Sequence, residues 1–158
     1  METLEVTSVK TQDYKTTISK ALNALLSDAQ IYNMNLRGLH WNIKGRNFFL
    51  LHEKYEELYN EADEMIDEIA ERILAVGSSP LHTYEDYLAN KTLEVAKHVS
   101  DGEEGAALVL GNLKLLLRKE REILEKASES SDEATANLVS DFISTQEKHI
   151  WMLESFLS

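Results

Sequence analysis

The chain has no cysteine, one proline and six glycines in 158 residues. Without cysteine there is no disulfide, no thiolate-bound zinc or iron–sulfur cluster, and no thiol nucleophile. So little proline and glycine leaves too few turns for an all-β sandwich, and long helices are expected instead. No apolar run approaches the roughly 20 residues of a membrane span. The opening stretch, METLEVTSVKTQD, lacks a basic segment followed by an apolar one, so no secretory leader is read there. Basic residues are also scarce: 16 Lys and Arg against 28 Asp and Glu give a formal charge of −12. That balance argues against unaided binding to nucleic acid, whose phosphates need cationic partners. What is present, 43% hydrophobic and 28% charged residues, fits a folded domain and not a disordered or membrane-embedded chain. One domain over 1–158 is expected, with residues 1–12 as a flexible tail.

Four long stretches carry helical periodicity. The first runs from about Asp13 to Ile43, with Ile18, Leu22, Leu25, Ala29, Tyr32, Leu36 and Leu39 at spacings of three and four. Gly45 is placed beyond its end, and Asn47 is read as the next N-cap. The second runs from about Phe48 to Val76, with Leu51, Tyr55, Leu58, Ala62, Met65, Ile69, Ile73 and Val76 on one stripe. Gly77 and Pro80 stop it. A long connection, 78–100, is expected to hold a short helix around Tyr84–Ala89. The third helix opens at the capping-box pattern Ser100-Asp101-Gly102-Glu103 and the fourth near Ser130-Ser131-Asp132-Glu133. The fourth is read with Leu138, Phe142, Thr145, His149, Met152, Leu153 and Phe156 on its apolar face. Two short loops and one long crossover predict an all-α, ferritin-like four-helix bundle with a short helix in the crossover.

Five histidines are the first candidates for chemistry. His82 and His98 read as solvated, and His149 as a packed, hydrogen-bonded core residue. His40, beside Trp41, and His52 stand apart. On the second helix His52 shares a face with Glu56, Asp63, Asp67 and Glu71. Large apolar residues are interleaved there, notably Phe48, Phe49 and Tyr59, which suggests that a partner covers the face. Asp67 and Glu71 are one turn apart, so their carboxylates can meet. Two imidazoles and two carboxylates form a borderline ligand set suited to iron, manganese or zinc. His52 and Asp67 are 15 residues apart, about 22 Å along a helix, too far for one ion within a chain. Antiparallel packing of two such helices across a twofold axis would bring histidines and carboxylates of different subunits together. No Glu precedes a His by three positions, so the usual bundle-core di-iron motif is missing. A solvated acidic surface, or a structural helical oligomer without metal chemistry, is the alternative reading of these residues.

The run His40-Trp41-Asn42-Ile43-Lys44-Gly45, with Phe49 and His52 after it, resembles the signature of the Dps family, the miniferritins. Asp67-Glu68-Ile69-Ala70-Glu71-Arg72 resembles it too, as does the stretch from Asp132-Glu133-Ala134-Thr135 through Glu147 to Leu153. The resemblance spans nearly the whole chain.

It implies a hollow, cytoplasmic homo-dodecamer built from twofold dimers, with nucleoid association tied to any DNA binding. It implies a ferroxidase, with His40 and His52 from one subunit and Asp67 and Glu71 from the other, and with Glu56 as an additional carboxylate. Trp41 matches an aromatic beside the iron, suited to electron donation; interface packing is an equally compatible role. Fe(II) would be oxidised there, by hydrogen peroxide in preference to dioxygen, and Fe(III) stored as mineral, with Zn(II) a competing ion. Asp132, Asn137 and Asp141 match positions at a threefold iron-entry pore, where Asn137 replaces the usual Asp; for Asp132, helix capping is the strong competing role. The alternative is a DNA-binding, nucleoid-compacting protein with little ferroxidase activity. Against it, the first thirteen residues hold Lys10 as their one basic side chain, so DNA binding is expected to be weak or absent.

Overall fold

Leu51, Tyr55, Leu58, Ala62, Met65, Ile69, Ile73 and Val76 recur every three or four residues, and every one of them is buried. One continuous stripe of this kind commits the segment to a helix lying flat on a core. In the computed structural model, which describes residues 12–158, five helices form: α1 (Glu2–Asn42), α2 (Phe48–Val76), α3 (Tyr84–Asn90), α4 (Gly102–Glu129) and α5 (Glu133–Leu157). The tail expected over residues 1–12 lies outside the described residues, Gln12 apart. Helix α1 pairs with α2 and α4 with α5, each across a short loop, and α1 also packs on α4 and α3. This is the expected four-helix bundle, with α3 in the single long crossover. Its core is aliphatic, with Leu22, Leu36, Tyr55, Ile69, Leu113 and Leu116 among its largest fully buried side chains. Among the described residues no helix is long and apolar enough to cross a membrane.

The helix ends follow their local chemistry. Gly77 takes φ 98°, and the amides of Gly77 and Ser78 bond back to Leu74 and Ile73 carbonyls, closing α2. Gly45 takes φ 105° in the turn between α1 and α2. Three details differ from expectation. Asn47 stands at the N-cap of α2 but its side chain makes no cap bond. The caps of α4 and α5 are Asp101 and Asp132, which accept from the Glu104 and Thr135 amides; the aspartates displace the serines before them, because a carboxylate is the stronger acceptor at a positive helix end. On α5, Thr145 and Met152 are exposed, and the buried face runs through Val139, Ile143 and Gln146. A polar residue at a core position moved that face away from the purely apolar reading.

Three polar side chains of α1 hold the crossover in place. Asn23 accepts from the Leu81 amide and donates to the Ser79 carbonyl. Asp28, fully buried, accepts from the Thr92 and Leu93 amides, the Thr92 hydroxyl and the Lys119 ammonium. Asn35 accepts from the Ala96 amide, and its NH2 donates to the Glu94 carbonyl and to Asn112. A loop cannot bury its backbone without such partners.

Candidate metal centre

The α1–α2 turn sets His40, in the last turn of α1, beside His52, in the second turn of α2. The two imidazoles stack with centroids 3.7 Å apart and planes 12° from parallel. His40 Nδ1 donates to the His52 carbonyl at 2.6 Å, and His52 Nδ1 donates to the His40 carbonyl at 2.7 Å. A carbonyl only accepts, so both Nδ1 atoms carry hydrogen. In the neutral rings the lone pair is then on Nε2, which has no partner among the described residues. A second group that fixes the tautomer and orientation of an imidazole is the usual support of a metal-binding histidine. Phe48 stacks on the outer face of His52 at 4.9 Å, and the Tyr59 ring meets His40 edge-on at 5.4 Å. Arg37 lies 4.3 Å over the Tyr59 ring and pairs with Asp63 at 2.8 Å. The histidine pair is thus clamped between aromatic rings.

The surrounding surface is apolar and open. Phe49 is 82% exposed and Trp41 65%. Such large exposed aromatics around a polar cluster mark an interaction face.

Glu56, Asp67 and Glu71 are exposed on α2. Glu56 lies one turn after His52, its Oε1 3.5 Å from the Tyr59 hydroxyl. Asp67 and Glu71 sit about three and four turns beyond Glu56. Within one chain, no three His, Asp or Glu side chains converge as a metal-holding group among the described residues. The structure brings His40 to His52 and leaves both apart from Asp67 and Glu71.

The three residues matched to a pore are placed differently from one another. Asp132 is half-buried. Its Oδ1 accepts from Arg72 and the Thr135 amide, its Oδ2 from the Tyr14 and Thr135 hydroxyls. Burial pushes this carboxyl up, but those bonds and Arg72 outweigh it and hold it below its ordinary value. Asn137 and Asp141 are exposed on α5. His82 and His98 are exposed, and His149 is buried against Glu61 at 2.7 Å.

Sequence reasoning missed a second polar group, inside the bundle. Glu120 on α4 is fully buried and accepts from Gln146 Nε2 on α5 at 2.7 Å. Burial raises its carboxyl to about 8, opposed in part by the Gln146 bond. The signal was available: Glu120 falls on the row Val109, Leu113, Leu116, Ile123, which faces the core and not solvent.

A family model described as a ferritin-like domain matches residues 19–158. The chain is 41% identical, over 97% of its length and 96% of the relative's, to the DNA protection during starvation protein of Porphyromonas gingivalis. The crystal structure of the Dps protein of Vibrio cholerae O1, described as belonging to a broad superfamily of ferritin-like diiron-carboxylate proteins, superposes with a TM-score of 0.91. It is 40% identical and covers 92% of both chains. A Dps protein of Bacillus brevis superposes with a TM-score of 0.90 at 35% identity, covering 92% of this chain and 98% of its own. The bundle with its single crossover, the paired histidines of the α1–α2 turn and these similarities place the chain in the Dps family of ferritin-like proteins.

Proposed function

We propose that this chain is the subunit of a hollow dodecamer of twofold dimers that binds Fe(II), oxidises it at intersubunit centres with hydrogen peroxide in preference to dioxygen, and stores Fe(III) as mineral. The observation that carries the reading is the reciprocal His40–His52 pair. It presents two imidazoles with Nε2 free, beside the exposed Trp41 and Phe49, while the matching carboxylates stand about 22 Å away along α2. Each chain then holds two half-sites, which twofold antiparallel packing joins into two whole ones. Asp67 and Glu71 of the second subunit supply hard oxygen ligands that favour Fe(III) over Fe(II), and Glu56 adds a further carboxylate near the histidines. Two Fe(II) give up two electrons, which with two protons reduce one hydrogen peroxide to two waters, and no hydroxyl radical is released. Zn(II) competes for the same donors.

The acidic shell draws cations inward: a charge of −12 per chain makes a formal total of about −144 for twelve. Asn137 and Asp141 line the iron-entry pore, and Asp132, whose oxygens are engaged by Tyr14, Arg72 and Thr135, acts there by its field alone. DNA binding is weak or absent at physiological salt, and the protein works in the cytoplasm, protecting DNA through removal of iron and peroxide.

The test is anaerobic Fe(II) loading, then hydrogen peroxide, with ferric absorbance followed before a sizing column. Rapid oxidation, iron co-eluting with a large shell, and loss of the rapid phase in His40→Ala/His52→Ala are expected. Oxidation no faster than that of free iron, or unchanged in the variant, overturns the assignment.

A further inference from the structure

Tyr59 touches the histidine pair and also carries a group that packing alone does not call for. Its ring meets His40 edge-on at 5.4 Å. Its hydroxyl donates towards Glu56 Oε1 at 3.5 Å, one turn back on α2. A closed set of bonds between α1 and α2 holds it there. Asn33 Nδ2 donates to the Tyr59 carbonyl at 3.0 Å and to Asp63 Oδ1 at 2.8 Å. Asn33 Oδ1 accepts from Arg37 Nε at 2.9 Å, and Arg37 pairs with Asp63 while lying 4.3 Å over the Tyr59 ring.

A phenol oxidised at neutral pH loses its proton with its electron, so it needs an acceptor beside it. Tyr59 has one in Glu56. Tyr55, one turn after His52, has none: it is fully buried, and its hydroxyl has no partner among the described residues. Burial pushes that hydroxyl up to about 12. Arg37 adds a second constraint. A cation over the ring disfavours a positively charged radical, so electron loss from Tyr59 is tied to proton loss.

We propose that Tyr59 is an electron donor to the iron centre, supplying the second electron for peroxide when a centre holds a single Fe(II). The inference rests on the ferroxidase reading above. Reduction of hydrogen peroxide to two waters takes two electrons, and one Fe(II) gives only one. The balance is Fe(II), Tyr59–OH, H2O2 and one H+ going to Fe(III), the neutral Tyr59 phenoxyl radical and two H2O. The O–O bond breaks, and iron and phenol are each oxidised by one electron. The phenolic proton passes to Glu56 and, with one from solvent, enters the waters. Without Tyr59 the same turnover releases hydroxide and a hydroxyl radical.

The test loads assembled protein anaerobically with one Fe(II) per centre, adds hydrogen peroxide and freezes the mixture for electron paramagnetic resonance, with ferric absorbance read on the same sample. A tyrosyl signal is expected, narrowed by ring-deuterated tyrosine and declining as loading rises from one Fe(II) to two. It is lost in Tyr59→Phe, where spin-trapped hydroxyl radical rises several-fold, and kept in Tyr55→Phe. Phenylalanine leaves a ring against His40, so the loss reports the hydroxyl. Iron oxidised in the parent without a tyrosyl signal, or with the same signal in Tyr59→Phe, overturns the proposal and leaves the centre standing. Loss of iron oxidation itself in Tyr59→Phe makes Tyr59 a support for His40 and also overturns it. No rapid oxidation in the parent overturns both readings.

Discussion

His40 and His52 hold each other: each donates Nδ1–H to the other's backbone carbonyl, and the rings stack at 3.7 Å. A side-chain substitution leaves both backbone carbonyls in place, so what removing one ring takes from the other is the stacked partner. His52→Ala takes away one ligand and also the ring stacked on His40, so Co(II) affinity at the proposed twofold site falls about 10- to 100-fold beyond simple loss of a donor. His52→Phe, which keeps a ring against His40 and adds no donor, recovers part of that loss. Equal affinities for the two variants, measured by calorimetric titration, would refute mutual orientation.

The separation of histidines from carboxylates gives a test by mixing. His40→Ala/His52→Ala subunits keep Asp67 and Glu71; Asp67→Asn/Glu71→Gln subunits keep the histidines. Each assembly alone lacks rapid Fe(II) oxidation. Unfolded together and reassembled in equal amounts, half the dimers are mixed, and each mixed dimer holds one intact centre out of two. About a quarter of the original rapid phase returns. No recovery, with mixed shells verified by mass spectrometry, places the four ligands within one subunit or outside the site.

Much of this was legible from periodicity. The buried face of α2 is residue for residue the stripe that the spacing of its apolar residues defines, because one apolar stripe on a long helix has one way to be buried. Asp67 and Glu71 could be grouped on their helix for the same reason. The reciprocal His40–His52 bond could not be read, since it depends on a turn geometry fixed by Gly45 and on rings lying 12° from parallel. Glu120 could be placed on the core row of α4, but its pairing with Gln146 could not. Both sit at core positions where an apolar template excludes them, and they become intelligible only as each other's partner.

Asp28 anchors the crossover, and its removal is expected to be costly. Burial pushes its carboxyl up, but the Leu93 amide, Lys119 and Thr92 outweigh this and hold it below its ordinary value of 3.8. Its folded value is depressed, so its contribution is present at neutral pH and is lost as pH falls through the folded value. Asp28→Ala strands two backbone amides and the Lys119 ammonium, at a cost of about 3 kcal/mol. Thermal melting shows this as a drop of several degrees at pH 7 that shrinks towards pH 3. A drop independent of pH would mean that charge plays no part in holding the crossover.

Glu120 shifts stability in the opposite sense. Its carboxyl is raised by burial from 4.5 to about 8. The groups facing it are Tyr32 on α1 and Gln146 on α5. Above pH 4.5 the unfolded chain releases this proton while the folded chain keeps it. The folded state then binds more protons, so stability falls as pH rises towards about 8, by at most about 1.4 kcal/mol per pH unit. Glu120→Gln keeps the shape and cannot ionise. Calorimetric scans of both proteins from pH 5 to 8 are expected to show the variant gaining on the parent steadily as pH increases, with the gap levelling off above 8. A constant gap across that range would show that Glu120 ionises as freely inside the bundle as it does in water.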